Sequence, residues 1–314
     1  MVKHNKIKGG IIGCGRIAGG YDVPNSGLIR THASGMINNK DIDLRSACDV
    51  NLRIATGFCE LWDIPNVYSD YNDMLNEENF DLVSICTPVD HHLDIVKACL
   101  ENNVRNICIE KPSFLNLSEL TEIKELLSKH ERKVNIWINY IRRYIEGMQE
   151  LKESLDSEVE TIQSVRAFYT KGLKNNGAHL LDLIIWLFGD PIEIKDVQLI
   201  ERGDYLDADF NIKTNRAEVC VKSLDYRNFE IFELDIVTNK RRVRFIDGFD
   251  TIENYIVEDG KRYKEYKNLR LISKRSNQLS NFMKNGFQYG LKSKGVCTLN
   301  DEEKIIDLVR RITE

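Results

Sequence analysis

The segment Asn106-Ile107-Cys108-Ile109-Glu110-Lys111-Pro112 sets a lysine where an apolar strand runs out. In an open α/β sheet, ligands bind outside the carboxyl ends of the strands, so an amine at that point is placed for chemistry. Such a lysine exchanges a proton with a hydroxyl or polarises a carbonyl. The proline after it fixes the exit of the chain and can take a cis bond, which would hold the lysine backbone in one orientation. A solvated lysine at a strand end is the bland alternative; the decision rests on what else the chain places nearby.

Gly13-Cys14-Gly15-Arg16-Ile17-Ala18 follows an apolar strand and fits G-x-G-x-x-G/A. The first glycine allows a tight turn, the second lets backbone approach a pyrophosphate, the small last residue allows close packing, and a helix amino terminus favours the anion. Asp49 ends the second strand, where a carboxylate accepts from ribose hydroxyls and repels a 2′-phosphate; the motif therefore points to NAD over NADP. Asp49 lies 31 residues beyond Ala18, against about 20 in the usual spacing. The excess maps to a loop, Gly19–Gly27, whose Tyr21 is a candidate substrate contact; a lid is the other reading.

Two further groups carry polar chemistry. Thr87-Pro88-Val89-Asp90-His91-His92 follows another apolar strand. Thr87 and Pro88 would shape the wall of the cofactor site, and His92 either caps the next helix or touches the ligand. Asn175-Asn176-Gly177-Ala178-His179-Leu180-Leu181-Asp182 opens an apolar helix with His179 and Asp182 three residues apart, hence on one face. A histidine at a helix start can project into a crevice and titrate near neutrality, although a lone helical histidine is more often structural.

These residues need a scaffold, and the pattern supplies one. Strands over Ile7–Gly13, Ile42–Asp49, Leu82–Thr87, Asn106–Glu110 and Lys133–Tyr140 alternate with helices over Arg53–Trp62, His92–Asn102 and Ser118–His130. That alternation predicts right-handed βαβ units and a parallel sheet. Helices follow over Tyr144–Leu155 and Ala178–Phe188, with a strand over Thr161–Tyr169 between them. Ile192 to Lys267 reads as short alternating strands, a mainly antiparallel sheet with one face covered. A final helix over Leu299–Thr313 would be capped by Asn300 or Asp301. The fold class is α/β: a doubly wound Rossmann domain over 1–138 and an α+β domain with a large open sheet over 139–298. The last helix, 299–314, is expected to pack back on the first domain.

Composition narrows the classes. The 314 residues suffice for two cored domains. A net charge of -5 gives no basic footprint for nucleic acid or anionic membrane, and no apolar run approaches the roughly 20 residues of a membrane helix. With no signal-peptide pattern before Gly9, the expected location is the cytoplasm. Eight scattered cysteines without a C-x-x-C pair read as reduced thiols, and six histidines without metal spacing make a metal site unexpected.

Taken in order, the glycine turn, T-P-x-x-x-H, E-K-P and G-x-H-x-x-D make the chain resemble the Gfo/Idh/MocA oxidoreductase family, over nearly its whole length. The resemblance implies that Lys111 lies beside a nicotinamide, with Glu110 and Asn139 also at the cofactor, and that His179 reaches in from the second domain. It implies substrate contacts from Asn175, Asn176, His179 and Asp182. Arg143 would hold either an anionic substrate group or a structural carboxylate. Many members carry an aspartate where this chain has Asn175; an amide cannot exchange protons, so proton transfer would fall on Lys111 and His179. The implied activity is an NAD-dependent oxidoreductase for a carbohydrate hydroxyl or ketone, by resemblance a nucleotide-activated sugar of surface-polysaccharide biosynthesis. A free polyol or aldose dehydrogenase, a non-catalytic NAD-binding sensor and an NAD-assisted glycosidase are the competing readings. The open second sheet suggests a homodimer or homotetramer.

Overall fold

The structure, a computed structural model, describes residues 6–157, 160–260 and 267–314. The chain divides into two compact units. The first runs to Ile145 and takes in Ser280–Glu303; the second comprises Glu146–Leu279 and Lys304–Glu314.

The first unit is built on six parallel strands: β1 (Ile7–Ile12), β2 (Ile42–Cys48), β3 (Asn66–Tyr68), β4 (Leu82–Ile85), β5 (Asn106–Ile109) and β6 (Asn135–Ile138), in the order β3-β2-β1-β4-β5-β6. Helices α1 (His32–Ile37), α2 (Leu52–Trp62), α3 (Tyr71–Glu77), α4 (His92–Glu101) and α5 (Leu117–Lys129) intervene. Ile11, Val83, Ile107 and Ile109 are fully buried, because a parallel strand is covered on both faces, which is why it reads as an apolar run. Asn51, Asp70 and Asn116 cap α2, α3 and α5 with their side-chain oxygens.

Register decides where the chemistry goes. Ile12 pairs with Ile85, Ile85 with Ile109, and Ile109 with Ile138, so β1, β4, β5 and β6 end in one row. The row extends one residue further. Cys86 N–H donates to the Ile12 carbonyl, Glu110 N–H to Ile85 and Asn139 N–H to Ile109. Gly13, Thr87, Lys111 and Asn139 therefore leave the sheet at one edge, on both sides of the β1/β4 switch point.

The segment from Ser280 belongs here rather than with the second unit. Residues 280–298, expected in the second domain, form a helix α8 (Phe282–Leu291) that the sequence pattern does not announce, since Gly286 and Gly290 weaken it. Phe287 packs edge-on against His32 and Trp137, and a Cβ on Gly290 would meet the Trp137 ring at 2.4 Å. Cys297 then bridges antiparallel to Ile138 at the end of β6. The last helix, α9 (Leu299–Thr313), begins in the first unit and passes into the second at Lys304. Its cap is neither Asn300 nor Asp301. Thr298 Oγ1 accepts from Asp301 N–H while Asp301 accepts from Thr298 N–H, a reciprocal box.

The second unit has helices α6 (Met148–Asp156) and α7 (Ala178–Phe188) and eight strands: β7 (Ile162–Tyr169), β8 (Pro191–Arg202), β9 (Tyr205–Thr214), β10 (Glu218–Ser223), β11 (Phe232–Thr238), β12 (Arg241–Ile246), β13 (Thr251–Asp259) and β14 (Lys267–Arg275). Their order is β14-β13-β12-β11-β7-β10-β9-β8; β7 and β10 run parallel and every other neighbouring pair is antiparallel. Alternate residues of β11 are buried, the period-two signature of a sheet covered on one face. Tyr169 on β7 staples the neighbouring region, its hydroxyl donating to the Ala208 carbonyl and accepting from Ala208 N–H. Among the described residues, no helix is long and apolar enough to cross a membrane.

Gly290→Ala should lower the stability of the first unit by about 1–3 kcal/mol, the usual cost of overpacking. Chemical denaturation of the variant against wild type measures it; an unchanged midpoint would mean that α8 is not seated on Trp137.

Candidate active site

Gly13 has a φ of +91°, and a Cβ there would lie 2.8 Å from the Cys86 carbonyl carbon and oxygen. Only glycine lets β1 turn against the end of β4. Above Gly15 no atom lies within 4 Å of where a Cβ would be, so the backbone at the second glycine is open to a close approach. Asp49 spans this turn, accepting from Cys14 N–H at 3.0 Å and from Asn51 N–H at 2.9 Å. The motif does not run into an α-helix. Arg16–Gly20 is a single π-helical turn, with Arg16 exposed and Ile17 half-buried, and α1 begins only at His32. An anion at this turn would be held by backbone approach, not by the dipole of a long helix.

The inserted loop is anchored rather than loose. Asp22 is buried, and its Oδ2 accepts from Arg30 N–H, Thr31 N–H and Ser34 Oγ at 2.7, 2.8 and 2.6 Å. Burial alone would raise this carboxyl, but the donors from Ser34, Arg30 and Thr31 outweigh it and hold it below the ordinary range. Thr31 and Ser34 form a capping box on α1. Tyr21 stays exposed at the loop's start.

At the end of β5, the Lys111–Pro112 bond is cis. Lys111 is half-buried; burial lowers its pKa, the nearby Arg142 adds to that, and the Glu110 charge opposes it, leaving it below the ordinary lysine value. Glu110 points inward. Its Oε1 accepts from His32 Nε2 at 2.7 Å and from Asn139 Nδ2, its Oε2 accepts from Lys111 N–H at 3.2 Å, and His32 Nδ1 lies 2.5 Å from Ser84 Oγ. Burial pushes the Glu110 carboxyl up, but the His32 and Asn139 bonds and the Lys111 charge bring it below its usual value. Glu110, expected at the cofactor, thus spends its carboxylate inside the protein. His32 and Ser84 carry no motif signal, because His32 lies 52 residues from Ser84 and 78 from Glu110 in the chain.

His92 also takes a different role from ligand contact. It is buried, its Nδ1 faces the Ser113 carbonyl at 3.0 Å and its Nε2 the Thr87 carbonyl at 2.8 Å, so neither ring nitrogen is left for a ligand. Burial lowers its pKa against the pull of those carbonyls. It ties the loop after β4 to the loop after the cis proline. Arg143 is 1% exposed and donates to the Val296 carbonyl at 2.7 Å and to Asp301 at 3.2 Å, the structural-carboxylate alternative. Pro88 begins the short 3₁₀ turn before α4.

In the second unit, Lys171 and Gly172 adopt positive φ and lead a π-helical turn, Gly172–Gly177, which holds Asn175 and Asn176 half-buried. Gly172 N–H donates to Asp207 at 2.9 Å, pinning the turn to β9. His179 and Asp182 follow in the first turns of α7, both buried.

A nicotinamide dinucleotide fits the first unit. Beside the open backbone at Gly15, two buried polar atoms, Thr87 Oγ1 and Asn139 Oδ1, have no hydrogen-bond partner among the described residues. They stand after β4 and β6, flanking Lys111 after β5, and unpaired buried acceptors are rare enough to mark a ligand position. Residues 7–138 match the family described as oxidoreductases with an NAD-binding Rossmann fold, the Gfo/Idh/MocA group. The Rossmann unit belongs to the Gfo/Idh/MocA oxidoreductase family. The chain is 27% identical over 153 residues to an inositol 2-dehydrogenase of Salmonella paratyphi B, covering 48% of this chain and 42% of that protein. The chain thus matches less than half the length of that relative. An oxidoreductase from Agrobacterium radiobacter, solved with NAD+, L-tartaric acid and magnesium, shares the fold with a TM-score of 0.72 at 18% identity, covering 97% of this chain and 94% of that one. So does a UDP-N-acetylglucosamine 3-dehydrogenase from Acidithiobacillus ferrooxidans, with a TM-score of 0.74 at 16% identity over 98% and 96% of the two chains. Among the described residues, no group of three or more His, Cys, Asp or Glu side chains is arranged to hold a metal, and the eight cysteines are free thiols.

Asp22→Ala should cost about 1–3 kcal/mol by stranding buried donors and should speed proteolytic nicking between residues 22 and 31. Because the folded Asp22 titrates below its unfolded value, the stability gap to wild type should be complete above the ordinary carboxyl range and close as the pH falls through the folded value. Denaturation across that acidic range measures it.

Proposed function

We propose that the protein is an NAD-dependent oxidoreductase that interconverts a hydroxyl and a ketone on a carbohydrate. The observation that carries this reading is Lys111 at the end of β5, with Thr87 and Asn139 presenting unpaired buried acceptors after the strands on either side. Bound NAD supplies hydride acceptance, and NADH supplies hydride donation. The rest falls to the chain. Gly13 and Gly15 allow backbone approach to the pyrophosphate, and Asp49 takes the ribose hydroxyls on the lone pairs left by Cys14 and Asn51. Lys111 takes the hydroxyl proton in oxidation, and in reduction returns it to the carbonyl oxygen. Its lowered pKa supports that role, since a proton-exchanging group works best when it titrates near the working pH. His179 is assigned as its partner at the reacting oxygen, and Asp182 as the residue that orients the imidazole. Tyr21, Asn175 and Asn176 are assigned to substrate hydroxyls.

The finer reading is a nucleotide-activated sugar of surface-polysaccharide biosynthesis, acted on in the cytoplasm by a homodimer or homotetramer. The nucleotide-sugar dehydrogenase among the solved structures of this fold supports the substrate class, and the inositol 2-dehydrogenase supports the alternative of a free polyol. Incubation of purified protein and NAD with sugar nucleotides and with free polyols separates them by which mixture accumulates NADH.

Lys111→Ala should lower turnover by about 10²–10⁴-fold, the span of positioned acid–base groups, and leave the NAD dissociation constant nearly unchanged. Full turnover in that variant would remove the lysine from the mechanism. Asp49→Asn should raise the preference for NADP by about tenfold, equivalent to roughly 1.4 kcal/mol of relieved repulsion. Paired kcat/KM values for the two cofactors measure that change, and an unaltered ratio would take Asp49 out of cofactor choice.

A further inference from the structure

A buried chain of polar groups runs behind Lys111, and apart from the open Oδ1 of Asn139 nothing in the proposed reaction uses it directly. Ser84 on β4, His32 at the start of α1, Glu110 after β5 and Asn139 after β6 are all 8% exposed or less. His32 Nδ1 meets Ser84 Oγ, so the serine hydroxyl donates to it when the ring is neutral, and Nε2–H then donates to Glu110 Oε1. Asn139 Nδ2 lies 3.2 Å from His32 Nε2, but two donors do not bond each other; both turn to the same carboxylate oxygen. The amide is thereby oriented with its nitrogen inward and its unpaired Oδ1 the other way.

We infer that His32 is a positioning residue for Lys111: by bonding Glu110 it fixes a buried carboxylate behind the lysine, and that carboxylate holds the lysine's proton. The inference rests on the dehydrogenase reading for its consequence in catalysis, but not for its electrostatics. Several titratable or charged groups act on Glu110, or on Lys111 beside it. Lys111 adjoins it in the chain, Arg142 lies on the turn after β6, Cys86 follows β4, Cys108 lies on β5, and His92 lies on α4. Burial pushes both thiols well up and the His92 imidazole down, so these three are neutral near pH 7. Of the groups just named, the Lys111 and Arg142 cations and the Glu110 carboxylate carry charge. Burial and the Arg142 charge favour loss of the Lys111 proton, and the Glu110 charge opposes that loss. Removing the carboxylate's charge, or the donor that stabilises it, should therefore let Lys111 deprotonate at lower pH.

The test uses Glu110→Gln, His32→Leu and His32→Gln in the full chain, with two readouts. One is the pH profile of kcat/KM for oxidation; the other is the pH dependence of Lys111 acylation by a water-soluble amine reagent, read by peptide mass spectrometry without substrate. In Glu110→Gln the acid limb and the acylation midpoint should both move about one pH unit or more toward acid, as expected when an adjacent opposite charge is removed. His32→Leu should move them the same way by less, and His32→Gln, which keeps a donor to Glu110, should restore them. A loss of stability with both midpoints unmoved in Glu110→Gln would overturn the inference and leave the network a purely structural one. Midpoints that shift in acylation while wild type oxidises no carbohydrate would support the inference and sink the dehydrogenase reading instead. Should His32→Leu not fold, the isosteric Glu110→Gln decides.

Discussion

The constraint on which the first unit turns is the burial of the Glu110 carboxylate. An ionised group taken from water costs several kcal/mol unless donors replace the solvent. Here the donors come from three separate places: His32 at the start of α1, Asn139 after β6, and the backbone of Lys111 itself. Each fixes an element. The His32 bond holds α1, which the anchored loop delivers through Asp22 and the Thr31–Ser34 box. Phe287 of α8 packs against the same imidazole and against Trp137, which seats the segment from Ser280 on this unit. Asn139 lies one residue past β6, so its bond ties the end of that strand to the end of β5.

How much of this was legible in the sequence follows from how local each signal is. Buried parallel strands are apolar runs bounded by turns, and β1, β4 and β5 are therefore readable to within one or two residues at their carboxyl ends. The strongly apolar α7 and most of the alternating strands of the second unit are equally plain, although β14 lies beyond the run that the pattern marks. Short β3 and α3 carry too few residues for a period to register, and α1 hides in an insertion. α8 hides for a different reason: Gly286 and Gly290, which weaken it as a helix, are what let it lie close to the aromatic rings of Tyr144 and Trp137. Its stripe of Phe282, Met283 and Phe287 is visible only once the partner surface is known. The domain boundary went with it, since a chain that returns to its first unit after a long excursion leaves no local mark.

The candidate site divides along the same line. Gly13, Asp49 and Lys111 sit at positions fixed by short motifs, where chemistry and local backbone coincide. His92 and Arg143 fit motifs equally well, yet the structure satisfies them internally, His92 on two carbonyls and Arg143 on Val296 and Asp301. A motif records residue type and spacing but not whether a buried polar group has already been satisfied by the fold. That accounting separates Asn139, whose Oδ1 is left open, from His92, whose nitrogens are both taken. His32 is the reverse case, a residue without a motif whose importance lies wholly in a contact 78 residues away.

Asn175 gives the arrangement behind Lys111 its weight. An amide accepts and donates hydrogen bonds but does not exchange a proton at neutral pH, so on the proposed reading no carboxylate of that turn shares the acid–base work. Within its own unit, burial and Arg142 act on Lys111 against Glu110. A lysine held between opposing effects of this kind is sensitive to a change on either side. The most effective place to retune such a lysine is therefore not a group that touches substrate but the carboxylate behind it and the histidine that keeps that carboxylate ionised.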